Sequence, residues 1–224
     1  MTYDKIKNIL DILNTLNEYL LSLPDDMLLN IDPRDNESLE QGIQFIKEFN
    51  DSFSQFSDGA NRIEKQIKNY FSIDPEGEEM EHEITDNEGK NGRVIKELDK
   101  SESHTPDENF TYKRPYGFVL DNSAYKGIKT WKSLYIQILK ELNSKDPERF
   151  SGLPTEKRFI SRRGNPLFSV NENDLRIAEK LSDDFCAEIN LSANHIIKNI
   201  KILLDYFGID YKKLQIYLRE DRDA

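Results

Sequence analysis

The sequence predicts an α+β protein. An N-terminal antiparallel helical hairpin of coiled-coil type (1–73) is joined by an acidic flexible tether (74–109) to a small α+β domain (110–224). Three observations carry this reading. From Asn36 to Ile73 apolar residues keep a heptad, with Leu39, Ile46, Phe53, Ala60 and Ile67 at one seam position and Gly42, Phe49, Phe56, Ile63 and Tyr70 at the other. A 3.5-residue repeat sustained this long marks a helix that packs along its length against other helices. Glu76 to Glu88 then holds seven acidic residues and no lysine or arginine. Beyond residue 110, short apolar runs bounded by turn residues alternate with two stripes of helical period.

The first helix is expected over 2–23. Ile6, Leu13 and Leu20 repeat by seven, as do Ile9, Leu16 and Leu23, and Pro24 is expected to end it because proline cannot continue the hydrogen-bond ladder. Residues 25–35 connect it to the long helix, which Asp35 or Asn36 can cap and whose positive end suits Glu37 and Glu40. The two helices differ in length, ~33 Å against ~54 Å at 1.5 Å per residue. Phe56, Ile63, Ile67, Tyr70 and Phe71 therefore lack partners within the hairpin. Leaving such side chains wet forgoes ~1.5–3 kcal/mol each, so a second copy of the chain or the C-terminal domain is expected to cover them. The expected oligomer seam is Phe49, Phe53, Phe56, Ile63, Ile67 and Tyr70. A break at Ser57–Asp58–Gly59, with a short third helix folding back, is the alternative.

Low hydrophobicity and high charge over 74–109 cannot offset the entropy of ordering, and Gly77, Gly89, Gly92 and Pro106 add freedom. At most one helical turn, Val94–Leu98, is expected there. In the domain, Tyr116–Leu120 and Tyr125–Ile128 flank the turn Asp121–Asn122–Ser123 as a hairpin. Thr130 caps a helix with Trp131, Leu134, Ile138 and Leu142 on its inner face. Phe159–Ser161 and Leu167–Val170 flank RRGNP as a second hairpin or a tight loop, and Phe185–Ile189 is a further extended run. Ser192 caps a last helix bearing Ile196, Ile200, Leu203 and Phe207, Gly208 stops it, and Leu214, Ile216 and Leu218 alternate as a closing strand.

Charge divides the chain. Residues 1–109 hold 11 Lys/Arg against 26 Asp/Glu, residues 110–224 hold 20 against 16, and the total is −11. Such asymmetry points to two modules with different partners, or to two that attract each other. No apolar run approaches the ~18 residues of a membrane span. The opening MTYDKIKNIL has no basic region feeding an apolar core, so neither a membrane partner nor a secretory signal is expected. A single cysteine, Cys186, excludes an internal disulfide, and a reducing, cytoplasmic compartment is the simplest reading.

The stretches Tyr116–Leu120, Trp131–Lys132–Ser133–Leu134, Asn190–Leu191–Ser192–Ala193 and Leu203–Leu204 to Ile209 carry a resemblance. Through them the C-terminal half resembles a small bacterial domain of unassigned activity found in genome-defence and mobile-element proteins. The resemblance implies a defence or DNA-related role and brings no active-site residues with it.

Chemistry-bearing patterns are sparse. His82, His104 and His195 fall in no HxxxH or HExxH, and there is no CxxC, so no zinc site is expected. The phosphate-cradling GxxxxGK[ST] and GxGxxG and the GxSxG elbow are absent, Cys186 has no base beside it, and Asp183–Asp184 reads as a solvated turn. No catalytic residue, metal ligand or cofactor is assigned. The most informative polar cluster is Lys157, Arg158, Arg162 and Arg163, with Phe159 among them; Lys113 and Arg114 extend it. Forked, permanently charged side chains on a loop tip suit phosphate or carboxylate, and hence the backbone of DNA or RNA. The competing reading is that they hold the protein's own acidic segments or a protein partner. The partners expected are a second copy of the chain, nucleic acid, or a larger protein complex.

Overall fold

The computed structural model describes residues 2–32, 34–71, 94–98, 101–161 and 164–219. It is an α+β structure with a long helical N-terminal region. The chain divides into two compact units, Met1–His82 and Glu83–Ala224.

The first unit consists of α1 (Thr2–Asn30) and α2 (Asn36–Phe71), which touch each other. Helix α1 does not end at Pro24 but runs through it to Asn30. Proline removes one N–H from the ladder, and a helix tolerates that loss when packing continues on both sides. Leu23, Pro24 and Met27 are all half-buried, so the stripe persists past the proline, and Ser22 donates to the Tyr19 carbonyl at 2.9 Å just before it. Asp35 caps α2, its carboxylate accepting from the Glu37 and Ser38 amides at 3.1 and 3.4 Å. Helix α2 then continues unbroken through Ser57–Asp58–Gly59. Gly42, the one heptad position without a side chain, has a steric reason. A Cβ there would lie 2.1 Å from the Ile31 Cδ1 atom, so the tip of the connector's Ile31 side chain occupies the space a side chain at 42 would take.

The second unit opens with a helical turn, α3 (94–98), and strand β1 (Ser103–His104). Hairpin β2 (Pro115–Leu120) and β3 (Ser123–Lys126) follows, with Asp121 at the turn at φ 53. Then come α4 (Trp131–Lys145), α5 (Pro147–Ser151), β4 (Phe168–Ser169), β5 (Ala178–Ser182), β6 (Phe185–Glu188), α6 (Ala193–Tyr206) and β7 (Leu214–Leu218). One antiparallel sheet has the order β1-β7-β2-β3 and a smaller one the order β4-β6-β5.

Helix α4 forms the centre, buried on more than one face through Trp131, Leu134, Tyr135, Ile138, Leu139 and Leu142. Phe118, Leu120, Leu214 and Ile216 of the larger sheet meet it from one side, and Ile196, Ile200 and Leu203 of α6 from another. The smaller sheet adds Phe168 and Phe185, whose rings lie 5.5 Å apart, with Phe150 4.4 Å from Phe185. Both long helices are capped as their sequences demand. Thr130 accepts from the Ser133 amide at 3.0 Å, and Ser192 accepts from the His195 amide at 3.4 Å. Gly208, at φ 72, closes α6 with bonds from its own amide to Asp205 and from the Ile209 amide to Leu204, a Schellman arrangement.

One further expectation needs correction, and one strand carries no signal in the sequence. Residues 94–98 and 101–109, assigned to the tether by composition, belong with the second unit: Leu98 is 2% exposed and β1 pairs with β7. A few apolar side chains placed against a preformed sheet suffice to order a segment whose average composition is polar. Residues 72–93, where the acidic run falls, lie outside the described residues. Of the two readings for the stretch between Phe159–Ser161 and Leu167–Val170, the tight loop fits: the Leu167 amide donates to the Phe159 carbonyl at 2.9 Å beside a single bridge, Ile160 to Pro166, while β4 pairs with β6. Strand β5 was not foreseen, because AEKLS is a half-exposed edge strand with no apolar alternation to announce it.

Candidate functional site

Lys157 and Arg158 lie in a single 3-10 turn, Lys157–Phe159, anchored by Phe159. That ring is buried and meets Phe168 at 5.2 Å and Tyr206 at 5.8 Å, both edge-on. The anchor fixes where the two cations emerge. Lys157 is exposed. Arg158 turns back: its guanidinium lies 5.0 Å from the Tyr206 ring, 3.6 Å from Asp205 and 3.8 Å from Glu156. Arg149 approaches the same tyrosine and donates to its carbonyl at 3.5 Å. Two guanidiniums thus gather at the negative end of α6, where the helix dipole favours them. Arg162 and Arg163 lie outside the described residues. The chain on either side of them closes tightly, through Gly164 N–H to the Ser161 carbonyl at 2.9 Å and Ser161 N–H to the Asn165 carbonyl at 2.8 Å.

Lys113 and Arg114 stand elsewhere. They lead into β2, next to Phe110, whose amide donates to Asn194 at the start of α6. Lys113 is exposed, its ammonium 5.9 Å from the Phe110 ring, and its carbonyl accepts from the Trp131 indole at 2.7 Å. Arg114 is half-buried. Helix α6 has 14 residues, so the two basic groups flank opposite ends of a helix about 20 Å long. The fold does not merge them into one patch. Beside Lys113, Tyr112 is 52% exposed and held at φ 60, a left-handed conformation that costs a side-chain-bearing residue roughly 1–2 kcal/mol.

Much of the domain's remaining positive charge is matched locally. Lys132 pairs with Glu179 at 3.4 Å, Lys213 with Asp121 at 3.0 Å, Lys180 with Asp183 at 3.0 Å, and Lys201 with Asp107. The Lys213 hydrogen bond, with Lys145 nearby, holds the Asp121 carboxyl below its usual value.

Side chains that could carry covalent or acid–base chemistry are tied into structure. Cys186 is buried, and burial pushes its thiol up, away from the reactive thiolate. Ser192 and His195 Nδ1 are 2.9 Å apart, but Ser192 is buried and serves as the α6 cap. Glu188 is 6% exposed, and its carboxylate accepts from the amides of Arg176, Ile177 and Asn190 at 2.7, 3.3 and 2.8 Å. It is a strut between the segments flanking the smaller sheet. Its pattern was invisible in sequence, since a lone glutamate at a strand end carries no spacing signal. Among the described residues no group of three or more His, Cys, Asp or Glu is placed to hold a metal ion.

In the helical unit the expected seam divides. Phe53 is buried, Phe49, Phe56 and Ile67 are half-buried, and Ile63 and Tyr70 are 46% and 82% exposed. Phe45, Phe49, Phe53 and Phe56 form a ladder with successive centroids 5.8, 5.9 and 6.4 Å apart. Ile9, Ile12, Leu16 and Tyr19 on α1 and Ile43 and Phe45 on α2 are also exposed. No helix among the described residues is long and apolar enough to cross a membrane. Compared with protein-family models, curated proteins and solved structures, the chain shows no match.

Proposed function

We propose that this is a non-enzymatic interaction protein of the bacterial cytoplasm, assembled as a dimer through its helices. In this reading α1 and α2 form an antiparallel hairpin that acts as a coiled-coil arm, and the acidic segment tethers it to the α+β domain. The observation that carries the reading is the set of apolar side chains that the helices leave exposed on one face each, Ile9, Ile12 and Leu16 on α1 and Phe45, Ile63 and Tyr70 on α2. Scattered exposed leucines are ordinary on a protein surface, but apolar residues recurring at helical spacing on two long helices are a contact face. Light scattering of the full chain at tens of micromolar should give twice 26.2 kDa. Ile63→Glu should return it to a single chain with unchanged helicity, because that side chain is solvated in the monomer and desolvated in the dimer. A wild-type mass of one chain would sink the proposal.

Nucleic-acid contact by the α+β domain is a second reading, in keeping with the defence or mobile-element setting that the resemblance implies. It is supported by Tyr112, exposed and strained beside Lys113, since an aromatic ring next to a cation suits base stacking above a phosphate. The alternative, an assembly subunit that binds protein alone, is supported by Arg158, which the protein's own Asp205 and Tyr206 engage.

A further inference from the structure

The two faces of the larger sheet are covered very differently. Its inner face packs Phe118, Leu120, Leu214 and Ile216 into the main core, each 0% exposed. Its outer face carries a separate small cluster of Val119, Ala124 and Tyr217, closed by Leu98, with Val94 and Ile95 half-buried against it. Gly117 lets Leu98 sit flush on the strand: a Cβ there would lie 3.3 Å from Leu98 Cδ2 and 2.4 Å from the Tyr125 carbonyl oxygen. At the sheet edge, β1 pairs with the five-residue β7 at two positions, Ser103 with Tyr217 and His104 with Ile216. A polar link, Lys126 to Glu97 at 2.9 Å, adds to the attachment, and the Glu97 side chain is 61% exposed.

We propose that α3 and β1 are a detachable strap that occupies a strand-addition site made of the β7 edge and the outer apolar face. A segment held by so few buried side chains opens without disturbing the main core. Opening leaves a row of β7 amides and carbonyls beside an apolar surface, the arrangement to which an extended segment adds as a strand. The site's chemistry is written in its present occupant. It takes a short helical turn with apolar residues spaced as Val94, Ile95 and Leu98, an acidic residue for Lys126, and then an extended stretch along β7. The chain fills this site with its own segment. The inference is independent of arm dimerisation.

Hydrogen exchange on the full chain tests it directly. The amides of α3 and β1 should exchange about tenfold or more faster than those of β2 and α4, which open only with the core. Equal rates would make the segment an integral part of the domain and overturn the proposal. A second measurement uses Leu98→Asp with a synthetic peptide spanning α3 and β1. The peptide should bind the variant saturably, restore protection to the β7 edge, and fail to bind the wild-type chain. If the variant keeps native protection in α4 and still ignores the peptide, the edge is not an addition site. Should Leu98→Asp fail to fold, the wild-type exchange rates decide the question alone, because unfolding of that kind predicts equal rates.

Discussion

At the scale of single residues, buried polar groups hold the domain's loops to its core. Glu188 accepts three backbone amides from Arg176, Ile177 and Asn190. Glu188→Ala would leave these donors without an acceptor in a site closed to water, at a cost of about 3 kcal/mol measured by chemical denaturation. Glu188→Gln keeps one acceptor oxygen and should recover part of the loss. An alanine variant as stable as the wild type would mean that solvent reaches these amides. Glu108 provides the pH counterpart. The His104 ring hydrogen bond, followed by the Thr105 amide, holds its carboxyl below the usual 4.5. A depressed carboxylate stabilises the fold fully above its unfolded value, and that contribution drains away as pH falls through the lower folded value. The protection factor of the Thr105 amide should therefore decline on acidification below 4.5. Glu108→Gln should remove that acid dependence, and an unaltered profile in the variant would assign it to another group.

Elements were legible where a local signal decided them. Helix α4 could be read because Thr130 announces its start and Trp131, Leu134, Ile138 and Leu142 keep one face; α6 could be read from Ser192 and Gly208. The extent of α2 could be read from its repeat, but its seam positions divide, Phe53 buried and Ile63 and Tyr70 exposed, and Gly42 lies against Ile31 of the connector. What stayed hidden depends on contacts between distant parts of the chain. The turn Val94–Leu98 could be read as a helical turn but not as packed, since Val119 and Tyr217, which lie against Leu98, are distant in sequence, and β5 exists because β6 is there to pair with it. For the candidate site, sequence identified cationic residues but not their neighbours. Arg158 looked available until the fold placed Asp205 and Tyr206 against it. Pro24 was misjudged in the opposite direction, a strong local signal overridden by the packing of its neighbours. A proline inside a helix still weakens it, so Pro24→Ala should stabilise the helical unit by about 1–3 kcal/mol, read from thermal melting by far-UV circular dichroism. A variant that melts lower would show instead that the local backbone geometry at Pro24 is needed for α1 and α2 to meet.

For the whole molecule the unequal charge of the two halves decides how nucleic acid could be met. The first 109 residues carry 26 acidic against 11 basic side chains and repel a polyanion; the remainder carries 16 against 20. Many of those 20 are matched to carboxylates on the same surface, Lys132, Lys180, Lys201 and Lys213 among them. In the nucleic-acid reading, phosphate contact falls to Lys157, Lys113, Arg114, Arg162 and Arg163. Each neutralised phosphate contributes a log–log slope of about −0.9 on duplex DNA, so contact by all of them gives a steep slope of roughly −4.5. Binding of the full chain to duplex DNA should thus be weak, lost at physiological salt, and flattened by nearly two slope units in the Arg162→Ala, Arg163→Ala double variant. Arg→Lys at both positions should restore the slope but only part of the affinity, because a lysine supplies the charge without the forked donor pair. Replacing the glutamates between Glu76 and Glu88 by glutamine should strengthen binding at low salt, where the repulsion is least screened, and leave it unchanged at high salt. If the wild-type chain and the glutamine variant both leave duplex and single-stranded DNA and RNA unbound at low salt, the basic loop meets a protein carboxylate instead, and the assembly-subunit reading stands.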